Sequence, residues 1–140
     1  MQAMIRRLSH MFACAAVAAL VAGAVSARPH LSEVDEINDG LFVIAVAKEI
    51  RDYCPEISAR TLKAYDFLWK LRKQAREMGY SDTEIKAYIG DDKEKAKMRV
   101  RGEAYLKKHG VTYEDPQTFC ALGRVEIEKS SRIGALLRAK

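Results

Sequence analysis

A chain of 140 residues is the size of one domain. Apolar residues make up 49% and charged residues 31%, a balance that excludes a disordered chain and fits a globular one. Lys and Arg outnumber Asp and Glu by 24 to 19, and a formal net charge of +5 is too small to argue for a polyanion partner.

The apolar residues are unevenly spread. Met11 to Val25 reads MFACAAVAALVAGAV, with no charge and no strong polar group. Arg6 and Arg7 precede it, and Val25-Ser26-Ala27 follows with small residues at the spacing a signal peptidase accepts. This is the pattern of a secretory signal peptide over residues 1–27, cleaved after Ala27. A membrane-spanning helix needs about 20 apolar residues, more than this Ala-rich run supplies. Ser9 stands where a twin-arginine signal has a large apolar residue, so a Sec-type leader is expected. Cys14 lies at the start of the apolar run, the wrong end for lipidation. The mature chain then spans residues 28–140 as a single all-helical domain. Losing Arg6 and Arg7 lowers its charge to +3. The expected location is periplasmic or secreted.

Removing the leader also removes Cys14 and leaves Cys54 and Cys120. An even pair in an exported protein reads as a structural disulfide. There is no C-x-x-C, which argues against a redox-active pair, and no C-x-x-C-H for covalent haem. The remaining His30 and His109 lie far from either cysteine in sequence, so no metal or cofactor is expected. The bridge would close a loop of about 65 residues, contributing roughly 4 kcal/mol in the chain-entropy account.

From Ser32 onward, helix start and stop signals recur with little strand alternation. Ser32 is placed to cap a first helix, with Asp35 as its capping-box acid. Val34, Ile37, Leu41, Ile44 and Ala45 share one face, and Phe42, Val46 and Ile50 widen it, the pattern of a helix buried by several neighbours. Asn38-Asp39-Gly40 marks a weak point where this helix is expected to kink or split. Cys54-Pro55 ends it, because a residue before proline is pushed out of the helical region. A second helix is predicted from about Ser58 to Met78, with Gly79 as a left-handed cap. Its stripe is Ala64, Leu68, Leu71, Ala75 and Met78, flanked by Leu62, Tyr65 and Trp69.

Tyr80-Ser81-Asp82-Thr83-Glu84-Ile85 carries a capping box, Ser81 with Glu84, inside a hydrophobic staple, Tyr80 with Ile85. That short third helix ends near Gly90. Asp91 or Asp92 caps a charged fourth helix running to about Lys108, with Met98, Gly102, Tyr105 and Leu106 toward the core. Asp115-Pro116 opens a fifth helix with an N-cap acid and a proline at its first position. Phe119, Cys120, Gly123 and Ile127 share one face there. Ser131 is placed to cap a last short turn carrying Ile133, Leu136 and Leu137 as a core lid. Gly123 and Gly102 read as packing glycines, since glycine in a helix interior costs up to about 1 kcal/mol against alanine. The expected fold is all-α: a compact bundle of five to six helices with one disulfide.

Several segments also carry a resemblance. Asp39-Gly40-Leu41, Glu49-Ile50-Arg51, Ser58-Ala59-Arg60 and Gly79-Tyr80-Ser81-Asp82 are similar to one family. So are the block from Asp115 through Phe119-Cys120-Ala121-Leu122-Gly123-Arg124 and the tail Ser131 to Arg138. Together they resemble domain of unknown function family 5333, small exported proteins of certain alphaproteobacteria. The resemblance implies an exported helical protein with these two cysteines and brings no catalytic residue, cofactor or substrate.

Function is weighed among three classes. The fourth helix interleaves Lys93, Lys95, Lys97, Arg99 and Arg101 with Asp91, Asp92, Glu94 and Glu103, which reads as a solvated face and not as a nucleic-acid patch. The second helix is basic through Arg60, Lys63, Lys70, Arg72, Lys73 and Arg76. Arg60, Lys63, Lys70, Lys73 and Arg76 are the candidate surface contacts, for anionic lipid or an envelope polymer. A membrane surface is not the favoured partner. A small hydrolase using Glu126 or His109 is the weakest reading, because no G-x-S-x-G or comparable motif surrounds a nucleophile. The favoured expectation is a non-enzymatic periplasmic binding or interaction module that docks another envelope protein.

Overall fold

A computed structural model describes residues 27–140, so the expected leader up to Ser26, with Arg6, Arg7 and Cys14, lies outside the described residues. Five α-helices form the domain: α1 (Asp35–Tyr53), α2 (Thr61–Glu77), α3 (Asp82–Gly90), α4 (Asp92–Lys108) and α5 (Pro116–Glu128). Short 3-10 turns at Leu31–Glu33 and Gly134–Leu136 flank them. Two three-residue strands, β1 (Ile57–Ala59) and β2 (Leu137–Ala139), pair antiparallel with Ile57 opposite Ala139 and Ala59 opposite Leu137.

The entry into α1 differs from the expected Ser32 cap. His30 caps the 3-10 turn by accepting from the Ser32 amide at 3.2 Å, and Val34 opens α1 with no side-chain cap. Asn38 supplies the missing tie: its amide donates to the carbonyls of Leu31 and Val34 at 2.9 and 3.0 Å, and the Tyr88 hydroxyl donates to its side-chain oxygen. The expected kink at Asn38-Asp39-Gly40 does not occur, and α1 runs unbroken. Gly40 is there for packing, since a Cβ would lie 2.5 Å from a methyl of Leu71 on α2. Cys54 leaves the helix in an extended conformation before Pro55, as its sequence requires.

The expected start of α2 at Ser58 is corrected to Thr61, because Ser58 belongs to β1 and faces Arg138 of β2. The α3 capping box is complete: Ser81 Oγ accepts from the Glu84 amide at 3.2 Å, and the Glu84 carboxylate accepts from the Ser81 amide at 2.7 Å. That Ser81 amide, then the Ser81 hydroxyl, holds the Glu84 carboxyl below the usual carboxylate range. Asp91 caps α4 by accepting from the amides of Lys93 and Glu94, both at 2.9 Å. Asp115 caps α5 through the Gln117 amide at 3.0 Å, with Pro116 at the first position. Gly79 and Gly110 both have φ above zero, which is where glycine is favoured after a helix.

The core has two parts joined by α1. One gathers Leu31, Val34, Ile37, Leu71, Ala75, Tyr80, Ile85 and Tyr88 around the N-terminal half of α1. The other gathers Val46, Ile50, Ile57, Leu106, Phe119, Leu122, Ile133, Leu136 and Leu137 around its C-terminal half. The Cys54–Cys120 disulfide lies at the centre of this second part, with the two Cα atoms 5.0 Å apart. It joins the end of α1 to the first turns of α5. Gly123 is a packing glycine as expected, because a Cβ would meet Ile57 at 2.3 Å and Ile50 at 2.7 Å. Gly102 is not: no atom lies within 4 Å of its virtual Cβ. Gly134 is the tightest site of all, with the Glu126 carbonyl 1.9 Å from where a Cβ would sit.

Candidate functional site

A helix presents a new side chain about every 100° of arc. On α2, Leu71 and Ala75 point to the core and are its buried residues. Leu62, Tyr65, Trp69, Lys73 and Arg76 fall together within about 80° of arc on another side. The first three are 86%, 67% and 62% exposed, so a leucine, a tyrosine and the chain's single tryptophan stand in solvent on one stripe. Large apolar residues scattered singly need no explanation, but three on adjoining helical turns make a patch. The expected core stripe of Ala64, Leu68, Leu71, Ala75 and Met78 is therefore only half correct. Leu71 and Ala75 are buried, whereas Leu68 and Met78 are both exposed.

The candidate basic residues are distributed around this patch. Lys73 and Arg76 extend the aromatic stripe toward the helix C-terminus, and the Lys73 ammonium lies 5.8 Å from the Trp69 ring centre. Lys63 and Lys70 flank it about a quarter turn round the helix. Arg60 precedes α2 at its N-cap, away from the stripe. Lys70 pairs with Asp66 at 2.7 Å, Lys73 with Glu77 at 3.6 Å, and Arg72 and Arg76 reach Asp82 at 3.0 and 3.8 Å. All these pairs are well exposed, so each contributes only about 0–1 kcal/mol and leaves the cations open to a competing anion.

Beside the stripe an apolar groove of about 170 Å³ lies between α2 and α3, backed by Leu31 and by Ile37 and Leu41 of α1. Leu71, Ala75 and Ile85 form its floor, with Leu68, Arg72 and Ile89 at its rim. A larger cleft of about 650 Å³ lies where residues 28–31 cross α3 and the start of α4. Four of its charged groups, Arg28, Glu84, Asp91 and Glu94, are engaged in holding the fold. Arg28 pairs with Glu84 at 2.6 Å, donates to the Gly79 carbonyl and covers the Tyr80 ring at 4.4 Å. Glu94 pairs with Lys97 at 2.7 Å, and Asp91 caps α4.

The two groups considered for acid–base work have structural occupations. Glu126 is 5% exposed and accepts from the Tyr105 hydroxyl at 3.0 Å and from the Ser131 hydroxyl. Ser131 in turn accepts from the Gly134 amide at 3.0 Å, which fastens the C-terminal turn. Burial, reinforced by Glu126, pushes the Tyr105 phenol up to about 12. His109 stacks on Tyr105 with ring centres 4.1 Å apart, its Nδ1 2.8 Å from the Tyr105 carbonyl oxygen. Among the described residues, no group of three or more His, Cys, Asp or Glu is placed to hold a metal ion. No described helix is long and apolar enough to cross a membrane.

The fold and this surface define a small disulfide-stapled helical domain with an exposed aromatic and basic helix face. The chain belongs to a family of unknown function, DUF5333, which matches residues 29–138. No curated protein and no solved structure matches it.

Proposed function

We propose that this protein is an exported, leader-cleaved interaction module of the periplasm that docks a partner through the outer face of α2. The observation that carries the reading is the placing of Leu62, Tyr65 and Trp69 in solvent beside Lys73 and Arg76. Binding hot spots are enriched in Trp, Tyr and Arg, and they sit within a rim of polar groups. The core behind α2, where Leu71 and Ala75 pack with Ile37, Tyr80 and Ile85, supports the reading, because a surface held rigid before docking loses less entropy on binding. Export is supported by the leader pattern and by the buried disulfide, which persists in an oxidising compartment. The same stripe with its basic flanks also suits an anionic lipid or polymer surface, the second reading.

The test is site-specific photocrosslinking in living cells, with a photoreactive residue at position 65 or 69 and a control at Val100 on α4, also exposed. Adducts from positions 65 and 69 and none from position 100 are expected. No adduct above background from α2, or equal labelling from α4, would contradict the proposal. Fractionation with intact-mass measurement should find a periplasmic product beginning at Arg28. A cytoplasmic chain that keeps residues 1–27 would remove the export part of it.

A further inference from the structure

We infer that the occupant of the α2 face is an acidic amphipathic helix of a partner protein that seats one large apolar side chain in the α2–α3 groove. This rests on the reading of α2 as the docking face and adds the chemistry of the partner. Three observations converge on it. First, the face is concave on one side and convex on the other. The groove is centred about a quarter turn round α2 from Trp69, between Leu68 on α2 and Ile89 on α3. At about 170 Å³ it resembles in size the cavities of about 150 Å³ that take a benzene ring. It therefore has room for one leucine or phenylalanine side chain, while Leu62, Tyr65 and Trp69 supply a flat apolar shoulder beside it.

Second, the charge of this helix is net positive. Helix α2 carries Lys63, Lys70, Arg72, Lys73 and Arg76 against Asp66 and Glu77. Its exposed ion pairs are weak enough to be exchanged for pairs with a partner's carboxylates. Third, the other occupants fit this face less well. A second copy docked through the same face would set one net positive face against another. A flat lipid surface touching Trp69 leaves the groove at the flank unfilled. A helix satisfies both parts: its apolar positions at i, i+3 and i+4 enter the groove and cover the shoulder, and its acidic positions meet the basic rim.

Trp69, the chain's single tryptophan, reports on this face directly. The exported protein is titrated with an amphipathic peptide bearing Leu and Phe on one face and Glu on the other. Parallel titrations use the same peptide with Lys for Glu, and vesicles of phosphatidylglycerol and phosphatidylcholine in equal parts. The acidic peptide should shift Trp69 emission to the blue with saturable binding that weakens as salt is added. Leu68→Glu, at the half-exposed groove rim, and the double change Lys73→Glu with Arg76→Glu should each weaken it about tenfold. Absence of a shift with the acidic peptide overturns the inference. So does equal binding of the Lys peptide, a shift with vesicles alone, which would point to lipid, or a shift on concentrating the protein alone, which would point to a second copy. Crosslinking from positions 65 and 69 that succeeds while the acidic peptide fails would sink only this inference and leave α2 as the docking face.

Discussion

Helices α1 and α2 are neighbours of similar length and both carry many apolar residues, yet they place them oppositely. In α1, Ile37, Val43, Val46, Ala47 and Ile50 are all buried, and Gly40 lets α2 approach closely. In α2 only Leu71 and Ala75 are buried, and Leu62, Tyr65 and Trp69 face outward. The first helix is surrounded by α2, α4, α5 and β1. The second has the domain on one side only. Apolar content therefore does not distinguish a core helix from one that turns large apolar side chains to solvent. The number of neighbouring elements does.

The comparison is broken most severely from the α1 side. Replacing Cys54 and Cys120 by alanine removes the bridge between α1 and α5 and should cost about 4 kcal/mol, read by denaturant unfolding. Ile50→Ala empties space at a fully buried α1 position and should cost about 3 kcal/mol, whereas Leu62→Ala should stay within about 0.5 kcal/mol of wild type. A pair of glycines sharpens the point. Gly123→Ala forces a Cβ against Ile57 and Ile50 and should cost about 1–3 kcal/mol, while Gly102→Ala meets nothing and should stabilise α4 by up to about 1 kcal/mol.

A smaller effect is expected in alkali. The Tyr105 phenol, held neutral to about 12 by burial and then by Glu126, favours the folded state fully below its ordinary pKa near 10. That contribution is lost as pH rises through 12. The loss of stability across this range should be smaller for Tyr105→Phe than for wild type, the remainder coming from Tyr113, which burial and then Glu49 also push up to about 12. Equal alkaline profiles would mean the Tyr105–Glu126 contact is unimportant.

What could be read in the sequence was local. Ser81 with Glu84, Asp91, and Asp115 with Pro116 each act within one helical turn, and each appears as a cap where its spacing places it. Cys54 and Cys120 were legible because the expected leader takes Cys14 and leaves that pair, which the structure joins. Apart from the Ser32 cap, which His30 and Val34 displace locally, the misreadings depended on distant partners. Ser58 looks like a helix start until Arg138 pairs with it as a strand, and Leu137, expected in a last short turn with Ile133 and Leu136, instead begins that strand after a 3-10 turn. Leu136 and Leu137 are nevertheless buried, as a lid requires. Gly102 and Gly123 look alike in sequence, and only the position of Ile57 and Ile50 separates them. The exposed stripe of α2 was visible only as a flank. Helical period defines stripes but not which one meets the core, and Gly40 with Leu71 decides that from outside the helix.

The most direct measurement joins both halves of the comparison in one protein: the triple change Leu62→Ser, Tyr65→Ser and Trp69→Ser, followed by thermal unfolding and by crosslinking from a photoreactive residue at Lys73. If α2 turns a working surface outward, the melting temperature and helix content stay close to wild type and the adduct disappears. A triple variant that unfolds like Ile50→Ala would instead place these side chains in the core, and one that keeps the adduct would take the stripe out of the docking face.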